Sequence, residues 1–268
     1  MTHGATATPA ASDSPGTARR APDAAPFERH IPLESAVNFR DLGGYRTADG
    51  RTVRWRSLFR ADSLSQLTQA DRAVVRSLGV ATVIDLRSLA EVDLARFPVD
   101  ELPVGFHHLP LVGKLPAFET FRQGAGFFAG HYQEMARDSA DQIAAAIAIV
   151  AQRYRHPVVV HCAAGKDRTG VLIGIVLALL DVPDETIVED YALSNRAMEA
   201  LLARVLDSVP DQREIILEVA PAMLSATPAN IAAMLDGLRA AHGSIEGYAA
   251  AHGAGPDVVA SLRAALLE

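Results

Sequence analysis

The chain has 268 residues, of which 49% are hydrophobic and 21% charged, with 32 acidic against 25 basic side chains and a net charge of -7. That composition excludes a disordered polar chain and suits one large domain or two small ones. The acidic balance argues against a dedicated nucleic-acid binder, and a single cysteine excludes an intrachain disulfide or a cysteine-rich metal centre.

Residues 1–26, rich in Ala, Thr, Ser, Pro and Gly, read as a disordered tail, and residues 27–268 as a single domain. The tail lacks the apolar run of a secretory signal, and its basic pair Arg19-Arg20 sits in polar sequence. Thr68 to Leu78 predicts a helix capped by Thr68. Val80 to Leu86, apolar and β-branched, predicts a buried strand. Ser88-Leu89-Ala90-Glu91 is a capping box opening a short helix that Pro98 closes. Phe106 to Leu111 predicts another strand. Ser139 and Gln142 predict the capped start of a long Ala/Ile helix running to about Tyr154. Val158-Val159-Val160 predicts a short strand and Arg168 to Leu180 an apolar helix. The apolar run from Val171 to Leu180 is too short to span a bilayer, so no stable membrane insertion is expected. From Pro183 onward the chain reads helical, with breaks near Pro210, Thr227-Pro228 and Gly253 to Pro256. Such alternation predicts an α/β fold, a mostly parallel central sheet flanked by helices, with a helical C-terminal part.

The stretch from Val158 to Gly170 is the informative one: a strand ends, a Gly-containing loop follows and a helix begins. Loop amides at a helix N-terminus converge on an anion, and the helix dipole favours negative charge there. The amides of Ala163, Ala164, Gly165, Lys166 and Gly170 are therefore candidates for binding an anionic substrate. Cys162, the only cysteine, opens the loop and is expected to act as a thiolate nucleophile. Arg168 closes it, with a planar fork that can hold two oxygens of a phosphoryl group. Thr169 can donate a hydroxyl hydrogen bond to the departing thiolate. His161 is a candidate for shaping the loop through its backbone.

The segment from His161 to Gly170 resembles the phosphate loop of the cysteine-dependent protein tyrosine phosphatases: His-Cys, five residues, Arg, then Ser or Thr. Asn38 to Tyr45, Val83-Ile84-Asp85-Leu86-Arg87, and Asp190-Tyr191 with Ser194-Asn195-Arg196 resemble the bacterial branch of protein tyrosine phosphatase B-like and lipid phosphatases. The resemblance covers roughly residues 30–268. It implies a phosphatase-type α/β fold, phosphomonoester hydrolysis through a phosphocysteine, and no metal or other cofactor. The substrate it implies is a phosphorylated protein, on tyrosine and also serine or threonine, or a phosphoinositide.

Two carboxyls compete for the role of general acid. Asp167 lies inside the loop, and the resembled branch assigns the acid there. Asp85 ends a predicted strand at the sheet edge where α/β sites gather; its alternative is to anchor the loop through Arg87 or a backbone amide. The Trp-Pro-Asp loop of the classical enzymes is absent as written, since Trp55 is followed by Arg56.

Only two of the 25 basic residues are Lys, Lys114 and Lys166, and the second sits in the loop. A flexible ammonium can meet a second phosphate as a point charge, and the Cys-x-x-Gly-Lys-x-Arg form of the loop resembles that of phosphoinositide phosphatases, which implies that both phosphotyrosine and phosphoinositides are accepted; the alternative is a solvent-facing Lys166. Arg40-Asp41 with Gly43-Gly44 reads as an ion pair and tight turn, or as the mouth of the site. Adjacent His107 and His108 point to opposite strand faces, so joint metal binding is not expected. Asp190 and Arg196 either pack against the loop or lie on a solvated face. The apolar stripe Met198, Leu201, Leu202, Val205 and Leu206 reads as core packing, while the resembled branch implies a helical lid. Competing readings are a sulfurtransferase, an arsenate reductase, and a non-catalytic module that binds phosphorylated ligands. A monomer is expected, with the cytoplasm as default location and signal-less secretion as the alternative.

Overall fold

The computed structural model describes residues 27–111, 126–208 and 213–268, together with Met1 and Asp211. The expected tail, Lys114 and Pro210 lie outside the described residues. Among the described residues five strands form one sheet: β1 (Arg40–Asp41), β2 (Leu58–Ala61), β3 (Thr82–Asp85), β4 (Gly105–His108) and β5 (Val158–His161). Their order is β1-β2-β5-β3-β4, with β1 antiparallel to β2 and every other pairing parallel. The expected mostly parallel sheet is present.

The pleat divides the sheet between two cores. Leu58, Ile84, Val158 and Val160 enter the larger cluster, with helices on that face, while Phe59, Ala61, Val83 and Val159 enter a smaller cluster on the other. Both faces of β3 and β5 are covered, which is why those two read as near-continuous apolar runs. The C-terminal ends of β5 and β3 are polar: His161 and Asp85 are in register with each other and with Ala61 at the end of β2. Anything that follows those strands converges on one edge.

The helices are α1 (Gln69–Ser77), α2 (Leu89–Leu94), α3 (Gly126–Asp138), α4 (Ala140–Val150), α5 (Asp167–Leu179), α6 (Asp184–Ala192), α7 (Asn195–Ser208), α8 (Arg213–Leu224), α9 (Pro228–His242), α10 (Ile245–Ala251) and α11 (Pro256–Leu266). Thr68 caps α1 through a capping box with Asp71, and Ser88 caps α2 through one with Glu91. The expected box at Ser139 does not form: α3 runs up to it, leaving Ser139 in a bridge between helices with no capping bond to α4. Apolar α5 is buried almost throughout and runs under the sheet from the end of β5. The stripe on α7 is split, with Met198 and Leu206 buried and Val205 exposed. Among the described residues no helix is long and apolar enough to cross a membrane.

Candidate active site

The loop between β5 and α5 is held from outside, one carbonyl at a time. His161 Nδ1 lies 3.3 Å from Cys162 O. Ser63 N–H donates to Ala163 O at 3.0 Å, Asn38 Nδ2 to Ala164 O at 2.9 Å, and an Arg60 guanidinium nitrogen to Gly165 O at 2.7 Å. Across a trans peptide the carbonyl and the next N–H point in opposite directions. Four consecutive carbonyls tied outward therefore turn the amides of Ala163, Ala164, Gly165 and Lys166 inward. The free amides of the first turn of α5 add to them.

Gly165 has φ +65°, and a Cβ there would lie 2.4 Å from Ala61 O, so both conformation and space require glycine. Gly170 departs from expectation. Its N–H donates to Lys166 O at 2.7 Å, so its amide is spent on the helix rather than on an anion. What its missing side chain provides is room for Tyr191, whose ring carbon would lie 2.9 Å from a Cβ.

Cys162 is buried at the base of the loop. His161 before it is fully buried, and burial pulls its pKa down to about 4, so the ring is neutral and serves the loop backbone rather than adding charge. Thr169 Oγ1 is buried without a hydrogen-bond partner among the described residues, so the expected bond to Cys162 does not form and the hydroxyl is left unspent.

Arg168 faces a carboxylate that the sequence marked only as a helix cap. Its two terminal nitrogens reach Glu91 Oε2 at 2.5 Å and Oε1 at 2.8 Å. Burial pushes the Glu91 carboxyl up, but Arg168 outweighs it and brings it down to about 2. The same pairing raises Arg168 against the opposing effect of burial. The fork between the terminal nitrogens is thus filled by Glu91, and the Nε edge, without a partner among the described residues, is the side left for an oxyanion.

Asp85 and Asp167 sit in unlike surroundings. Asp85 is buried and takes Arg87 Nε at 3.0 Å, an Arg87 terminal nitrogen at 2.7 Å and the Arg87 N–H at 3.0 Å. Burial raises its carboxyl, but the hydrogen bonds and charge of Arg87 more than offset that and hold it below the ordinary value. Asp167 Oδ1 accepts from Tyr132 Oη–H at 2.5 Å and lies 3.4 Å from Lys166 Nζ. Tyr132 and Tyr191 share a hydroxyl contact of 2.6 Å. Burial, followed by the charge of Asp167, raises Tyr132 well above its usual value, so it stays a donor. Asp167 Oδ2 has no partner among the described residues.

Lys166 is not solvent-facing. It is 1% exposed, and its ammonium donates to Met223 O and, at 3.3 Å, to Ser225 O, where α8 ends. Arg40 does not pair with Asp41. Arg40 Nε and an Arg60 terminal nitrogen both reach Asp190, at 3.1 and 2.7 Å, beneath the loop. Asp41 instead accepts the N–H groups of Gly43 and Arg56 in the turn. His108 and His107 have separate partners, Arg87 O and Arg155. Glu91, Arg60 and Tyr132 were missed in the sequence. Asn38 stands inside the Asn38 to Tyr45 motif without a role of its own, and Arg40 reads in the sequence only as an ion-pair or site-mouth residue.

A parallel sheet that delivers an amide-lined loop, a cysteine and a clamped arginine to one edge defines an oxyanion-handling α/β protein. The tyrosine phosphatase family matches residues 31–268, and the chain belongs to that family. It is 31% identical to the triple specificity protein phosphatase PtpB of Mycobacterium tuberculosis, over 88% of this chain and 98% of that one. It is 33% identical to a tyrosine-protein phosphatase of Nostoc commune, over 52% of this chain and 49% of that one. Among solved structures, the core catalytic domain of the PP-IP phosphatase SIW14 from S. cerevisiae, in complex with citrate, matches 61% of this chain and 77% of that one, at 16% identity and a TM-score of 0.36.

Proposed function

We propose that residues 27–268 form one phosphatase domain that hydrolyses phosphotyrosine, and also phosphoserine, phosphothreonine and phosphoinositides, through a phosphocysteine on Cys162. The observation that carries this reading is the loop with four outward-tied carbonyls, which leaves an inward set of amides above the only cysteine. Those amides and Arg168 hold the three non-bridging oxygens, and Sγ attacks phosphorus in line. The P–O ester bond breaks as the S–P bond forms, and the leaving oxygen takes a proton from the acid. Water then attacks phosphorus, gives its proton to the same carboxylate, and the S–P bond breaks to return the thiolate. The Thr169 hydroxyl, buried and unspent, is the donor available to that sulfur.

We assign the acid to Asp167 and an anchoring role to Asp85. Asp85 is held ionised by Arg87 and has no proton to give near neutral pH. Asp167 has one oxygen engaged by Tyr132, leaving the other to carry the proton. Tyr132 is thus a positioning residue for the acid. Lys166, beside Asp167, is the side chain from which a second phosphate would draw an ammonium.

The test is hydrolysis of para-nitrophenyl phosphate without added metal. Activity that survives EDTA, vanishes in Cys162→Ser and is blocked by vanadate is expected. Full activity in Cys162→Ser would overturn the reading. A panel of phosphotyrosine, phosphoserine and phosphoinositide compounds then ranks the substrates. Lys166→Ala is expected to reduce phosphoinositide turnover more than phosphotyrosine turnover, and equal losses would remove Lys166 from substrate choice.

A further inference from the structure

A cavity lies beside the supports of the loop, on the side of β1. It encloses about 350 Å³ between the segment around Arg29 to Arg40 and the start of α7. That volume falls in the range of small-molecule sites, roughly 300–1,000 Å³. Its lining includes Arg29, His30, Arg40 and Arg196, with Asn38 between them, and among the described residues contains no carboxylate. The chain as a whole carries 32 acids against 25 bases, so a lining whose titratable members are all basic, set among Val37, Leu193 and Ala197, runs against its composition.

The charges there are only partly neutralised: behind the wall Asp62 accepts the N–H groups of Val37 and Asn38 at 3.1 and 2.9 Å, and Asp41 lies close enough to Arg29 to feel its charge. Asp190 is shared by Arg40 and Arg60, which leaves that buried cluster one positive charge in excess. Burial and the neighbouring Arg60 together pull Arg40 down to about 10. Arg29 gives one nitrogen to Asp41 O at 2.7 Å and otherwise rests on the rings of Tyr45 and Trp55. The Arg196 side chain is exposed and makes no hydrogen bond or ion pair among the described residues.

This cavity is not the rim of the catalytic loop. On this side the loop presents the carbonyl of Ala164, capped by Asn38, and a carbonyl does not hold an anion. Arginine forks bind phosphate oxygens in pairs. We infer that the cavity lined by Arg29, His30, Arg40 and Arg196 is a second anion site that takes a phosphate group, carried by a small soluble polyanion or by a lipid headgroup. Its back wall, Arg40 and Asn38, also supports the loop: an Arg40 terminal nitrogen donates to Asn38 Oδ1 at 2.5 Å, and Asn38 to Ala164 O.

The test reads binding rather than turnover, so it stands apart from the chemistry assigned to Cys162. Arg168→Ala removes the guanidinium of the catalytic loop. Calorimetric titration of that chain with pyrophosphate is expected to show one remaining saturable site. The single Trp55, beneath Arg29, supplies a parallel fluorescence readout. Adding Arg196→Glu is expected to weaken the remaining site at least about tenfold, the scale of one charge-assisted hydrogen bond. Arg196→Lys restores part of the affinity, and Arg196→Glu alone keeps para-nitrophenyl phosphate turnover. Phosphatidylcholine vesicles carrying phosphatidylinositol 4-phosphate form the second arm. Binding to vesicles but not pyrophosphate, lost in Arg196→Glu, assigns the site to a headgroup; binding to both assigns it to the phosphate alone. No saturable response to either probe in Arg168→Ala, or a response unchanged by Arg196→Glu, overturns the inference.

Discussion

Arg168 grips Glu91 through both ends of its guanidinium, joining the start of α5 to the first turn of α2. Glu91 is held down to about 2 from 4.5, so its contribution to stability is present above about pH 4.5 and is lost as pH falls toward 2. Glu91→Gln removes that contribution at every pH. The melting-temperature gap between wild type and Glu91→Gln is expected to be largest near pH 7 and to narrow by pH 3. A gap that stays constant with pH would mean the pair does not titrate as described.

Asp167→Asn is expected to leave hydrolysis of an aryl phosphate within a few-fold and to cut that of an alkyl phosphate by about 100-fold, the scale of general acid catalysis. Asp85→Asn should hurt both substrates alike, because it loosens Arg87 and the end of β3 rather than removing a proton donor. A leaving-group effect in Asp85→Asn and none in Asp167→Asn would exchange the two roles.

Tyr132→Phe keeps the ring between Phe128 and Tyr191 and deletes the hydroxyl on Asp167. Its expected signature is a loss of about tenfold in kcat on the alkyl phosphate, the worth of one hydrogen bond to a charged group, with KM and the aryl rate nearly unchanged. Equal losses on both substrates would indicate a merely structural hydroxyl.

Asp190 is the counter-charge for both Arg40 and Arg60. Asp190→Asn leaves two buried guanidinium groups without their carboxylate, a change expected to cost about 3–5 kcal/mol. Burial alone would raise the Asp190 carboxyl, but the two arginines hold it well below 3.8. The stabilisation is therefore present above about pH 4 and declines only in strong acid. Urea denaturation of wild type and Asp190→Asn at pH 7 checks the magnitude.

Much of the architecture was legible where local chemistry and burial agreed. The apolar strands β3 and β5, the caps at Thr68 and Ser88, and the apolar α5 each carry their own signal. β2 did not, because Leu58-Phe59-Arg60-Ala61 is four residues long and places an arginine where a core strand is expected to be apolar. That arginine is buried because Asp190, 130 residues away, neutralises it. The loop residues were recognisable from their spacing. Their supports were not: Ser63 gives a backbone amide, and Glu91 already had a sufficient role as a cap. Tyr132 stands on a helix with no distinctive pattern, and only the fold brings it to Asp167.

The ammonium of Lys166 is already committed to the carbonyls that finish α8. A ligand that recruits this ammonium must therefore detach it from that helix end, so affinity and enclosure draw on a single resource. Saturation with such a compound would then make the α8 segment easier, not harder, for a protease to cut, whereas a ligand satisfied by the loop amides alone would leave its cleavage rate untouched.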